Sequence, residues 1–225
     1  MKLSRNFVIL LAIVLTATAG TAIAKKDELP EVTEDGLHRV ADSKMAIVYA
    51  EPGADLAQYQ RVMLLETNVA FKKNWARDQR SRSANMLGGV SSRDIEKIKN
   101  NLAQEFDAVF RTTLEDGGYE VVEESDEDVL LVRPAIINLD VNAPDTQRAG
   151  RSATFTESAG EMTLYIEIYD SVTGDLIAKA LDRRTDSRRG FYTWTNSVTN
   201  AAAARRILKG WATILLDALN EAKQQ

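Results

Sequence analysis

Two stretches of this 225-residue chain mix positive charge with aromatic rings. In the first, Lys72, Lys73, Arg77, Arg80 and Arg82 surround Trp75; in the second, Arg183, Arg184, Arg188 and Arg189 run into Phe191, Tyr192 and Trp194. Guanidinium forks match carboxylates and phosphates, and aromatic faces accept cations and flat ligands. Lys72, Lys73, Trp75, Arg77, Arg183, Arg184, Arg188, Arg189, Tyr192 and Trp194 therefore form the candidate anion- or partner-binding set. The competing reading is two solvated loops whose rings pack onto a core and whose arginines are neutralised by acids such as Asp182 and Asp186.

Few other residues invite chemistry. There is one histidine, His38, and no cysteine, so Cys–His pairs and zinc sites built from several such ligands are excluded. Neither G-x-x-x-x-G-K-[ST] nor G-x-G-x-x-G occurs, and Gly88-Gly89 is followed by no lysine. Residues 115–128 are dense in Asp and Glu but lack the glycine and alternation of a calcium loop, which makes them a solvated acidic turn. No catalytic, cofactor or metal residue is expected. A carboxylate pair acting on glycans stays open as the alternative, because spacing in space decides it.

The elements that must position these residues follow from periodicity. Ile95, Ile98, Leu102, Phe106, Val109 and Leu114 lay a stripe along one helix, opened by a Ser91/Asp94 capping box and stopped at Gly117-Gly118. Val62–Phe71 reads as one strand before it and Tyr119–Val122 as a strand after it, giving a parallel βαβ unit. Val129–Val141 is a further strand; Pro134 places it at an edge there or gives it a bulge. Met162, Leu164, Ile166 and Ile168 alternate with Thr163, Tyr165, Glu167 and Tyr169, and the turn Asp170–Asp175 returns the chain antiparallel. Lys72–Val90, Asn142–Ser158 and Asp186–Asn196 read as loops. A second amphipathic helix carries Ile207, Leu208, Trp211, Ile214, Leu215, Ala218 and Leu219. The expectation is one two-layer α+β domain over residues 45–225, with about five strands in a mixed sheet and two long helices in the order β-α-β-β-β-β-α. Residues 25–44, polar and without periodicity, read as a mobile acidic leader.

Residues 1–24 differ from the rest. Lys2 and Arg5 precede the apolar run Phe7–Leu15, which passes into small residues ending Ala22-Ile23-Ala24, the pattern of a secretory signal peptide cleaved after Ala24. No transmembrane segment is expected after cleavage. The mature chain then holds 26 basic and 33 acidic residues, a net −7 that argues against nucleic acid as a partner.

Several stretches together resemble the bacterial family of unknown function 3313, exported cell-envelope proteins that include many lipoproteins. They are Pro52-Gly53-Ala54-Asp55 with Tyr59, Arg61–Leu64, Gly118–Val122, Asp128–Ile136, Asp170-Ser171 with Thr173-Gly174-Asp175, and Trp194 before Trp211-Ala212. The resemblance implies an envelope location and carries no catalytic residue. Lacking the cysteine that lipidation needs, this chain departs from the lipidated members and is read as a non-lipidated periplasmic protein. The functional expectation is a non-catalytic binding or assembly module whose partner is an unknown envelope protein or an anionic envelope component.

Overall fold

The structure is a computed structural model that describes residues 29–82, 90–141, 155–156, 158–187, 193–194 and 197–224. Chain contacts separate Met1–Pro30 from a folded unit that spans Glu31–Gln225. That unit is α+β, a mixed sheet with long helices.

In chain order the elements are β1 (His38–Arg39), β2 (Ile47–Ala50), a 3-10 turn (Leu56–Gln58), β3 (Arg61–Leu64), β4 (Asn68–Phe71), α1 (Trp75–Arg82), α2 (Ser92–Asp116), β5 (Glu120–Val122), β6 (Val129–Val141), β7 (Phe155–Thr156), β8 (Ser158–Asp170), β9 (Leu176–Ser187), β10 (Thr193–Trp194) and α3 (Ser197–Ala222). Eight strands form one sheet in the order β1-β2-β9-β8-β6-β3-β5, with β4 also pairing β6. β7 and β10 form a separate antiparallel ribbon. The sheet exceeds the five strands expected because short backbone-paired segments, without apolar periodicity, add to it at the margins.

The long hairpin and α2 follow the expected pattern. β8 pairs antiparallel with β9 and with β6, and its apolar residues Met162, Leu164 and Ile166 are buried against the helices. β3 pairs parallel with β5 and β6, as a βαβ unit requires. α2 starts with the full capping box, in which Ser91 Oγ accepts from the Asp94 N–H and the Asp94 carboxylate accepts from the Ser91 N–H. It buries Leu102, Phe106, Phe110 and Leu114, with the Phe106 and Phe110 rings stacked 3.9 Å apart. α3 answers with Leu208, Trp211, Leu215 and Leu219, all in the same core.

Five expectations are corrected. The single strand over 62–71 is two: β3 leaves the ladder at Leu64, and β4 rejoins β6 at Ala135. Pro134 lies at that changeover. Val132 C=O still accepts from Leu65 N–H, so by strand geometry the missing Pro134 donor points to the gap where neither strand pairs. β6 is therefore a central strand, and its register shift falls later, between Ile137 and Asp140. The supposed leader joins the fold from Glu31: His38 and Arg39 pair with Ala50 and Tyr49, and Leu37 is buried. The loop after β4 carries α1, entered through Asn74 at φ 66°. Finally, only Gly118 of the glycine pair adopts left-handed backbone, φ 88°. Gly117 packs against α3, where an added Cβ would sit 2.3 Å from Leu216 Cδ1 and oblige that side chain to shift.

Candidate functional site

Of the candidate residues whose side chains are described, all but Lys73 are already engaged. Trp75 at the start of α1 is buried, stacks on Phe71 at 4.1 Å and donates its indole N–H to Val141 C=O at 3.2 Å. Gln79, one helical turn on, donates to the same carbonyl at 3.0 Å. Trp75 is thus an anchor that fixes α1 to the end of β6. Lys72 Nζ lies 3.0 Å from Asp140 Oδ2 and 3.8 Å from Glu161 Oε1, and Arg183 pairs with Glu161. Arg77 pairs with its neighbour Asp78, while Lys73 is exposed and has no ion pair among the described residues.

Arg184 points the other way. Strand alternation turns it, with Asp182, toward the helices. Asp182 Oδ2 accepts from Arg184 Nε at 2.8 Å and from Trp211 Nε1 at 2.7 Å, and its Oδ1 accepts from Ala46 N–H at 3.1 Å. The Arg184 guanidinium sits 5.7 Å from the Trp211 ring centroid, over the space that Gly210 leaves. Arg188, Arg189, Tyr192 and the Trp194 side chain lie outside the described residues, although the Trp194 backbone pairs with Phe155.

On the face of the sheet away from the helices a different cluster forms, one that sequence reasoning missed. Glu167 is 8% exposed and takes hydrogen bonds from Tyr165 Oη at 2.5 Å, Tyr169 Oη at 2.9 Å and Arg133 Nε at 2.7 Å. Burial alone would raise the Glu167 carboxyl; the bonds from Tyr165, Tyr169 and Arg133 outweigh it and hold the group below the ordinary glutamate range. Burial, and then the bond to Glu167, push the Tyr165 and Tyr169 hydroxyls up. The Arg133 guanidinium covers the Tyr169 ring at 5.4 Å. The alternation T-Y-E-Y along β8 was the available signal; the pairing with Arg133, 34 residues earlier, was not visible in it.

A cleft of about 1350 Å³ runs along α2 and α3. The helices run in the same direction, since Arg205 pairs with Glu105 and Leu216 meets Gly117. Ile98, Val109, Leu139, Met162, Ile207 and Leu216 contribute its apolar lining. Ala108, Ala201 and Ala204 add small side chains to the lining. Charged residues form the rim. Glu105 and Arg205 bridge the helices, and Asp140 and Glu161 hold Lys72 and Arg183. Arg93, Lys97, Lys209 and Asp116 have no ion pair among the described residues.

No group of three or more His, Asp or Glu residues that could hold a metal occurs among the described residues, and no helix there is long and apolar enough to cross a membrane.

Solved structures match this chain at low similarity. The PelC dodecamer from Paraburkholderia phytofirmans is 11% identical, with 74% of this chain and 96% of that chain covered and a TM-score of 0.38. A DUF330 protein from Xanthomonas campestris is 15% identical over 78% of this chain and 94% of that one, with a TM-score of 0.37. A minor lipoprotein from Acinetobacter baumannii is 10% identical over 71% and 91%, with a TM-score of 0.33. No curated protein matches. The sequence profile described as "Protein of unknown function (DUF3313)" matches residues 32–215, nearly the whole folded unit, and the chain belongs to that family.

Proposed function

We propose that this protein is exported to the periplasm, loses residues 1–24, and acts there as a non-catalytic binding module that holds an envelope component or protein partner along the α2–α3 cleft. The observation that carries the reading is the cleft itself, large and apolar-lined, with charges at its rim left unpaired among the described residues. The two buried carboxylates favour binding over the glycan-hydrolase alternative. Glu167 and Asp182 each accept three hydrogen bonds from the protein, which fixes them as structural acceptors and not as a free acid and base. The basic-aromatic residues Lys72, Arg183 and Arg184 are tied to acids, so the preferred surface moves from them to the neighbouring cleft; Lys73 with Arg188, Arg189, Tyr192 and Trp194 remains a second proposed contact region.

A photo-crosslinking residue at Ala108, in the cleft, and another at Glu124, in the acidic turn, test this in intact cells. Capture of an envelope component from Ala108 and not from Glu124 is expected; equal capture from both, or none, removes the cleft from consideration. Mass measurement of the periplasmic species checks export, with a chain beginning at Lys25 expected and one beginning at Met1 overturning the cleavage.

A further inference from the structure

We infer that the cleft takes an anionic glycerophospholipid, an inference that rests on the binding reading above and names its ligand class. Three features converge on this chemistry. The first is charge. Most cations described in this acidic chain are neutralised in place: Lys44, Arg61, Lys72, Lys99, Arg111, Arg133, Lys179, Arg183, Arg184 and Arg205 all pair with carboxylates. Arg93, Lys97 and Lys209 line the cleft and pair with no carboxylate among the described residues; of the acids that line it, Glu105, Asp140 and Glu161 are held by Arg205, Lys72 and Arg183, Asp94 is engaged by Ser91 in the capping box, and Asp116 has no ion pair among the described residues. A cation held without a partner beside an apolar wall is suited to a phosphate diester, which a guanidinium binds in a fork and an ammonium binds as a point charge.

The second feature is the wall. The same cleft is lined by Ile98, Val109, Ala108, Ala204 and Leu216, so a ligand that satisfies the charges must also present apolar surface. Polar anions such as inorganic phosphate or a sugar acid would leave that wall wet. The third is size. At about 1350 Å³ the cleft is larger than the roughly 300–1000 Å³ that drug-sized ligands occupy, and it is elongated along two helices that share a direction. An acyl chain laid along the helix pair, with its phosphate at Arg93 and Lys97 near the start of α2, meets all three constraints.

The test uses the mature protein with vesicles of phosphatidylglycerol or of phosphatidylcholine, followed by native mass spectrometry for retained lipid. Phosphatidylglycerol is expected to be retained at least about tenfold better. The pair Arg93→Glu and Lys97→Glu, both at exposed positions, is expected to abolish that preference, and Ala108→Trp, which fills the cleft from its exposed side, to abolish retention; each variant should melt like the parent. Retention of neither lipid overturns the inference, as does retention that Ala108→Trp leaves unchanged, or a preference indifferent to the charge reversal. If crosslinking from Ala108 captures a protein while neither lipid is retained, the binding reading stands and the lipid falls; if crosslinking captures nothing and no lipid is retained, both fall.

Discussion

Glu167 and Asp182 are both buried acids that accept three hydrogen bonds, and they lie on opposite faces of the same sheet. Their surroundings differ in origin. Asp182 draws its donors from the chain before β2, from β9 and from α3, so one carboxylate joins three separate parts of the fold. Glu167 draws on β6 and on its own strand, and its partner Arg133 keeps more than half of its side chain in solvent. A buried acid on the helix side fastens layers together. A buried acid on the open side fixes a tyrosine-arginine surface in one arrangement, which costs little further ordering when something binds it.

Removing Asp182 breaks this comparison at its stronger side. Asp182→Ala strands the Trp211 indole N–H, the Arg184 guanidinium and the Ala46 N–H at once, and breaking a buried charged pair from one side costs about 3–5 kcal/mol. A thermal or denaturant melt should show that loss, with Trp211→Phe giving a smaller one because only the indole donor goes. If Asp182→Ala melted like the parent, the carboxylate would not be joining α3 to the sheet.

Glu167→Ala should cost less, about 1–2 kcal/mol, since Tyr165, Tyr169 and Arg133 lie where water can reach them once the acid is gone. The pH dependence carries the sharper signature. The folded Glu167 carboxyl titrates below its ordinary 4.5, so its ionised form is favoured by the fold. That contribution to stability is fully present above pH 4.5 and is lost as the pH falls through the lower folded value. Denaturant titrations between pH 6 and pH 3 should therefore show a fall in stability that Glu167→Gln flattens; an unchanged slope in that variant would assign the acid sensitivity elsewhere. Asp170 and the Arg61 partners Asp126 and Asp128 are shifted in the same direction and add to the slope.

How much of this was legible depends on whether a residue's role is set by its own strand or helix. The capping box and the alternation along β8 need only local spacing, and the structure reproduces them; the α2 stripe holds at Leu102, Phe106 and Leu114, but Phe110, outside the expected stripe, is buried while Ile95, Ile98 and Val109 are half-buried. Tyr59, Arg61, Asp128 and Asp170, from four of the stretches that carry the family resemblance, gather at the turn end of the sheet. Tyr59 Oη donates to Asp170 Oδ2 at 2.9 Å, which lifts the Tyr59 hydroxyl to about 12 through burial and then that bond. The other Asp170 oxygen accepts from Val172 and Thr173 N–H groups, and Arg61 bonds Asp128 and Asp126. These residues hold a corner of the fold together. The segment 31–44 was misread because backbone bonds hold it, with Leu37 its one deeply buried apolar side chain. The cleft depends on the distance between two helices, which no single helix records.

Adjacent arginines sharpen the comparison at its smallest scale. In the sequence Arg183 and Arg184 are equivalent members of one basic run. In the sheet Arg183 stands opposite Thr163, and Arg184 stands opposite Met162. The first therefore points to the open face, where it pairs with Glu161 and remains 64% exposed; the second points to the helices, onto Asp182 and the Trp211 ring. Arg184→Ala should lower stability by about 1 kcal/mol, because a charge-assisted bond to a buried acceptor is lost while two other donors remain on Asp182. Arg183→Ala should leave the melt unchanged, since an exposed pair gains little over its hydrated ions. Parallel melts of the two variants read the difference directly. Equal losses would mean that Arg183 is held as tightly as Arg184, and the division of these two arginines between a fastening face and an available face would have to be abandoned.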